Sequence, residues 1–268
     1  MQKKIGFIGT GNMGSAMIEG ILSSSLVPAQ NIYLFDRNQE KMKGIQNKFD
    51  VNVSPSPIDL AQTVDYIILA VKPNAYQEVL QEIGKSIPKE TTLISIVAGQ
   101  KLDKIASFLT PQTKVVRAMP NTPALVQEGM TALTPNSFVK EEEKEEIQAI
   151  FESFGQCAFV KEEMMDAVTA VSGSAPAYVY MMIEAMADGA VMEGMPRNMA
   201  YTFAAQAILG SAKMVLKTQK HPGELKDAVC SPGGTTIAAV AVLEKKGFRS
   251  SLISAMKKCA EKSRDLSA

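Results

Sequence analysis

An α/β domain built on a largely parallel sheet, followed by an all-α domain, is what the sequence predicts, and three observations carry that prediction. Short β-branched runs alternate with amphipathic stretches through the first part of the chain. A glycine-rich turn joins the first of these runs to a helical pattern. Strand signals then stop near Val160–Glu162, and Ala- and Met-rich helical patterns fill the remainder. A chain of 268 residues with 46% hydrophobic content suits two linked cores better than one. The expected domains are therefore 1–160 and 161–268.

The strands are read in order from KIGFIG at the start, NIYLFD, DYIILAV at 65–71, TLISIVA at 92–98, KVVRAM at 114–119 and QCAFV at 156–160. Each is apolar on both faces, as buried parallel strands are. The acidic run Glu141–Glu146 is expected to open a solvated helix, because negative charge suits the positive end of the helix dipole. Beyond it, helices are expected over roughly 163–172, 176–193, 197–217, 222–230, 232–245 and 249–265, punctuated by Gly173, Pro196, Ser231–Gly234 and Gly247. Met181, Met182, Met186, Met192, Met195 and Met199 read as core packing. The last helices are apolar over much of their circumference, which predicts burial against a second subunit in a homo-oligomer.

Composition narrows the function. Lys and Arg total 28 against 28 Asp and Glu, so no nucleic-acid partner is expected. No apolar stretch approaches the roughly 20 residues of a membrane-spanning helix. Residues 1–9 pass straight into a strand-like run, so a cytoplasmic protein is expected. Cys157, Cys230 and Cys259 are far apart and fit neither a disulfide framework nor a metal site, and no metal is expected. The single histidine, His221, precedes Pro222 and reads as a surface turn residue. Redox chemistry carried by a bound cofactor fits this inventory.

Gly9-Thr10-Gly11-Asn12-Met13-Gly14 follows a strand and opens an amphipathic helix, the context in which this glycine spacing binds a dinucleotide. Gly9 suits the tight turn, Gly11 the close approach of backbone to a pyrophosphate, and Gly14 the helix–strand contact. The first domain is thus a Rossmann-type dinucleotide-binding domain. Asp36 ends the second strand, where an acid binds the ribose 2′-hydroxyl of NAD, yet Arg37 beside it suits the 2′-phosphate of NADP. Residue type leaves both open. Ala70-Val71-Lys72-Pro73, Ala98-Gly99 and the turn around Asn121 end later strands and are the natural lining for the nicotinamide half.

In the helical half, Val229–Thr236 (VCSPGGTT) reads as a helix start with Ser231 as cap and Pro232 as first residue. Gly233 and Gly234 then expose backbone N–H groups fit for a carboxylate, and Thr236 presents a hydroxyl. Ser172–Tyr178 (SGSAPAY) joins two helical segments as a kink. Between Glu162 and Pro196 there is no Lys or Arg, which argues against a hydroxyacid dehydrogenase with a catalytic lysine there. That enzyme class and a non-catalytic NADPH-sensing module are the alternatives.

Taken together, FIGTGNMG at 7–14, AVKP at 70–73, MPNTP at 119–123, SGSAPAYVY at 172–180, DAVCSPGGTTIAAVAVLE at 227–244 and GFRS at 247–250 resemble the pyrroline-5-carboxylate reductases over essentially the whole chain. The resemblance implies reduction of the C=N bond of 1-pyrroline-5-carboxylate to L-proline by NAD(P)H, the last step of proline biosynthesis. It implies a helical dimerisation domain, with dimers often built into larger rings. It carries substrate contacts onto Glu162, Thr235 and Thr236, beside the carboxylate-binding Gly233 and Gly234, and Thr236 or a bound water is expected to assist proton delivery. Cofactor contacts fall on Gly9 through Gly14 and Ala70 through Pro73, with NADPH favoured and NADH open. The chain departs from some relatives at Asp36-Arg37 and at Ala228.

Overall fold

Strand β1 (Ile5–Ile8) leads into helix α1 (Asn12–Ser23), and the alternation continues through β2 (Ile32–Phe35), α2 (Gln39–Phe49), β3 (Asn52–Val53) and α3 (Pro57–Thr63). It goes on with β4 (Tyr66–Leu69), α4 (Pro73–Ile83), β5 (Thr92–Ser95), α5 (Leu102–Ala106) and β6 (Lys114–Met119). A 3-10 turn over Thr122–Val126 precedes β7 (Gly129–Pro135), α6 (Glu141–Glu152) and β8 (Gly155–Phe159). This computed structural model describes residues 1–267. Its contacts divide the chain into one unit of Met1–Gly173 with the chain end from Cys259, and a second of Ser174–Lys258.

The strands form one sheet in the order β3-β2-β1-β4-β5-β6-β7-β8. All pairs are parallel except β6–β7. Alternate residues of each central strand feed opposite faces. Ile5, Phe7, Tyr66, Ile68, Ile94 and Val116 join the core under α1 and α6, whereas Ile8, Ile67, Leu69, Leu93 and Val115 join the core under α3 and α4. Both faces are covered, which explains why the strands read as unbroken apolar runs.

Two strands were not anticipated, the two-residue β3 and the antiparallel β7. Strand β7 reads GMTALTP, too poor in β-branched aliphatic residues to announce itself, and it is recruited by tertiary pairing with β6 and β8. The acidic run also needs correction. Glu141 and Glu142 are exposed, but the Glu143 carboxylate takes Lys114 Nζ at 2.6 Å and Lys140 N at 2.8 Å. Glu146 accepts from the hydroxyl of buried Tyr66. Lys114 is itself buried in the sheet, and the Glu143 and Glu90 carboxylates outweigh the effect of its burial and hold its pKa above the ordinary lysine value.

After β8 come a 3-10 turn at Glu162–Met164, α7 (Met165–Val168) and a π-helical turn over Thr169–Gly173. The kink expected at Gly173 is thus one wide turn, a form that recurs at functional sites. The second unit contains α8 (Ala175–Met192), α9 (Arg197–Thr218), α10 (Pro222–Ala228) and α11 (Thr235–Lys245), with most of α12 (Phe248–Ser267). The end of α12 belongs to the first unit, where Ser263 Oγ donates to Asp166 Oδ1 at 2.6 Å and Leu266 lies beside Gly99.

The buried residues of α8 and α9 are alanines, Ala187, Ala200 and Ala204, which let two helices approach closely. The methionines do not fill that core. Met181, Met186, Met192 and Met199 are exposed, Met192 at 85%, with Tyr180 and Phe203 among them. The expectation of core packing fails here because the helix pair buries only a narrow alanine seam and leaves its larger apolar side chains outside.

Candidate active site

The sheet order reverses between β1 and β4, the point at which open α/β sheets bind ligands. The two loops leaving these strands are tied together there. Ala70 N donates to Ile8 O at 2.8 Å, and Gly9 N donates to Phe35 O at 2.8 Å, so the loops after β1, β2 and β4 converge. They line a crevice of ≈ 230 Å³ that includes Gly9, Gly11, Asp36, Arg37, Ala70 and Lys72.

The three glycines of the turn stand in different surroundings. Gly9 has φ +98°, and a Cβ there would lie 2.6 Å from Ala70 O. A Cβ on Gly14 would lie 2.6 Å from Gly9 O. Both are required by the packing of the turn itself. Gly11 meets nothing within 4 Å, so its backbone faces open space in the crevice. Gly11 also caps α1 without a side-chain hydrogen bond, which leaves the first-turn N–H groups of Asn12, Met13 and Gly14 without helical partners. A bare backbone at a helix N-terminus beside open space fits a pyrophosphate group.

Asp36 is engaged by its own chain. Its Oδ2 accepts from Thr10 N at 2.7 Å and from Thr10 Oγ1 at 2.9 Å, and its Oδ1 accepts from Asn38 N at 2.9 Å. Burial acts to raise this carboxyl, but the hydrogen bonds from Asn38 and Thr10, with the charge of Lys41, outweigh it and hold the pKa below the ordinary carboxylate value. Thr10 is buried and directs its hydroxyl at Asp36, so it braces the loop. Arg37 pairs with Glu78 of α4, Nη2 to Oε2 at 2.7 Å. Lys41, in the first turn of α2, lines the same crevice and was missed in the sequence; its position four residues after Arg37 was the available signal.

The remaining first-unit residues form two clasps near the carboxyl ends of β5 and β6. Asn121 is buried, donates from Nδ2 to Ser172 O at 3.1 Å and accepts at Oδ1 from Met130 N at 2.8 Å. It thereby ties the β6–β7 loop to the π-helical turn. Glu162 Oε1 accepts from Leu102 N at 2.7 Å and from buried Arg117 at 3.1 Å, which fixes the loop carrying Ala98 and Gly99. Gly99 has φ +74°, and Ala98 is exposed. Glu162 lies in the first unit and the Gly233–Thr236 turn in the second. Pro73, the first residue of α4, follows Lys72 directly.

In the second unit the glycine pair is not inside a helix. Helix α11 begins at Thr235 with Gly234 as its cap, and Ser231–Gly234 is a turn closed by Gly234 N donating to Ser231 O at 3.0 Å. Ser231 is not the helix cap expected from sequence, because Gly233 adopts φ +70° and breaks the helical path. A Cβ on Gly233 would meet nothing within 4 Å, and Gly234 makes no side-chain cap bond. The N–H groups of Thr235, Thr236 and Ile237 are consequently free of helical partners, and Thr235 and Thr236 are exposed. His221 is an exposed cap, as expected of a turn residue, with Nδ1 accepting from Gly223 N at 3.1 Å.

Among the described residues no cluster of His, Cys, Asp and Glu is arranged to hold a metal, and no helix is long and apolar enough to cross a membrane. None of the three cysteines forms a disulfide, and burial pushes the Cys157 thiol up to about 11.

Comparison with known proteins agrees with this layout. Residues 162–266 match the model of the pyrroline-5-carboxylate reductase dimerisation domain, and residues 4–99 match that of the coenzyme F420-dependent NADP oxidoreductases. The chain is 52% identical to pyrroline-5-carboxylate reductase of Escherichia coli (strain K12), over 100% of this chain and 99% of that protein. A pyrroline-5-carboxylate reductase structure from Coxiella burnetii superposes with a TM-score of 0.94 at 31% identity, covering 100% of both chains. A Plasmodium falciparum pyrroline carboxylate reductase structure with NADP bound superposes with a TM-score of 0.90 at 34% identity, covering 99% of this chain and 98% of that one. A Rossmann-type domain followed by a helical dimerisation domain, with full-length identity above half to a reductase of this name, leaves one assignment: the chain belongs to the pyrroline-5-carboxylate reductase family.

Proposed function

We propose that this protein reduces 1-pyrroline-5-carboxylate to L-proline with NADPH, acts as a homodimer or a ring of dimers, and works in the cytoplasm. The observation that carries the cofactor half is Gly11, at a helix N-terminus without a side-chain cap, where a Cβ would meet nothing within 4 Å and the backbone opens onto the crevice. When bound there, NADPH supplies a hydride. Gly9 through Gly14 receive the pyrophosphate, Ala70 through Pro73 with Ala98 and Gly99 line the nicotinamide side, and Asn121 holds its loop in place.

Arg37 and Lys41 favour a 2′-phosphate, whereas Asp36 accepts two bonds at Oδ2 from Thr10 and one at Oδ1 from Asn38, so a single lone pair on Oδ1 is left for a ribose hydroxyl. This supports NADPH ahead of NADH. In the second unit, the turn over Gly233–Thr236, with the N–H groups of Thr235 and Thr236 free of helical partners, binds the substrate carboxylate, and the Thr236 hydroxyl holds a proton toward the ring nitrogen. Glu162, whose Oε1 accepts from Leu102 N and Arg117, is the first unit's own candidate for a substrate contact. The exposed methionines and aromatics of α8 and α9 support a second subunit as their cover.

The test is loss of nicotinamide absorbance when 1-pyrroline-5-carboxylate is added to enzyme with NADPH or NADH. Oxidation with proline as product, faster with NADPH at equal concentration, is expected. No oxidation with either cofactor would remove the reading, and oxidation of NADPH only with a 3-hydroxyacid's keto product would favour a dehydrogenase instead.

A further inference from the structure

The ribose end of the crevice holds an opposed set of charges that the assigned reaction does not explain. Arg37 and Lys41 line it, and the Lys41 ammonium has no ion-pair partner among the described residues. The Arg37 guanidinium is taken by Glu78, which projects from α4 and lies in none of the motifs that mark the family. Glu82, one helical turn further along α4, adds its negative charge to the same guanidinium. Asp36 feels the charge of Lys41 but accepts its hydrogen bonds from Thr10 and Asn38, and it forms no ion pair with Arg37 among the described residues.

We propose that Glu78 is a specificity-determining residue of this pocket. Its carboxylate competes with a phosphate on the adenosine ribose for the Arg37 fork, and so narrows the preference for phosphorylated over unphosphorylated nucleotide that Arg37 and Lys41 create. The inference rests on the reading of the crevice as a nucleotide site. A phosphomonoester brings close to two negative charges and accepts the guanidinium in bidentate geometry, so it displaces Glu78, but the displaced carboxylate stays nearby as a like charge. Arg37 and Glu78 are 59% and 66% exposed, so the competition is screened by salt.

The experiment measures binding of adenosine 2′,5′-bisphosphate and of adenosine 5′-monophosphate to the full chain by calorimetry, for the wild type, Glu78→Gln, Arg37→Gln and the double variant. Glu78→Gln is expected to tighten the bisphosphate about three- to ten-fold at low salt, in keeping with an exposed ion pair plus a like charge removed, and to leave the monophosphate unchanged. The gain is expected to shrink as salt rises and to vanish in the Arg37→Gln background, where there is no guanidinium to release. Equal tightening of both probes, no tightening, or a gain that survives without Arg37 would overturn the proposal. A wild type that binds neither probe removes the nucleotide reading and this inference with it. A wild type that binds both while Glu78→Gln is silent removes this inference alone.

Discussion

Two glycine turns, one in each unit, show two different reasons for the same residue. At Gly9 and Gly14 the chain itself forbids a side chain, since backbone oxygens stand 2.6 Å from where a Cβ would be. At Gly11, with φ −66°, nothing in the chain lies within 4 Å of where a Cβ would be; Gly233 is as open, but its φ of +70° makes it required by the fold as well. A glycine enforced by its own fold reports on folding, and a glycine facing empty space beside free N–H groups reports on a ligand. The sharpest way to break this contrast is Gly9→Ala. A left-handed backbone at φ +98° and a clash with Ala70 O together should cost roughly 3 kcal/mol, visible in chemical denaturation, with cofactor binding lost as a consequence. An unaffected midpoint would mean that the turn relaxes and that the contrast is false.

Gly11→Ala should do the reverse. Its φ of −66° suits alanine, so stability should stay within about 0.5 kcal/mol of the wild type. NADPH affinity should nevertheless fall by about ten-fold or more, because the methyl group enters the space a pyrophosphate needs. Denaturation and fluorescence titration on the same preparation separate the two effects. A variant that is destabilised, or one that binds normally, would put Gly11 in the same class as Gly9.

In the second unit, Thr236→Ala probes the turn through its chemistry. Thr236 is exposed in the first turn of α11, so its loss should leave the denaturation midpoint and NADPH affinity nearly unchanged. Removing an assisting proton donor should lower kcat on the order of ten- to a hundred-fold. Unchanged turnover would take Thr236 out of the reaction while leaving the carboxylate site on Gly233–Thr235 intact.

The same contrast explains what could be read in the sequence. Strands β1, β4, β5 and β6 were legible because both faces are buried and the apolar run is continuous. Strand β7 was not, because tertiary pairing overrides the weak preference of GMTALTP. The glycine turn after β1 was legible because sterics fix it locally. The Ser231–Gly234 turn was misread by three residues, since Ser-Pro imitates a cap and first turn, and the left-handed Gly233 that ends the imitation carries no mark in residue type. The methionines of α8 and α9 were misplaced because an apolar helix face looks the same whether the chain or a second copy covers it. Partners of single side chains, such as Glu162 with Arg117 or Asn121 with Ser172, depend on contacts across 45 and 51 residues and had no local signal.

The smallest effect concerns Asp36, where the loop of the first unit couples to pH. Its carboxyl is held below its ordinary value in the folded state, so the unfolded chain binds the proton more readily. The ionised carboxylate therefore contributes stability above the unfolded pKa, near 4, and that contribution disappears as pH falls through the lower folded value. Asp36→Asn should accordingly be less stable than the wild type by a constant margin above about pH 5, with the margin narrowing below about pH 4. Denaturation midpoints of both proteins between these limits test the sign: a margin that widens in acid would mean that burial of the carboxylate outweighs the hydrogen bonds from Thr10 and Asn38, and Asp36 would then be a strained acid available to a ribose instead of a brace for the glycine turn.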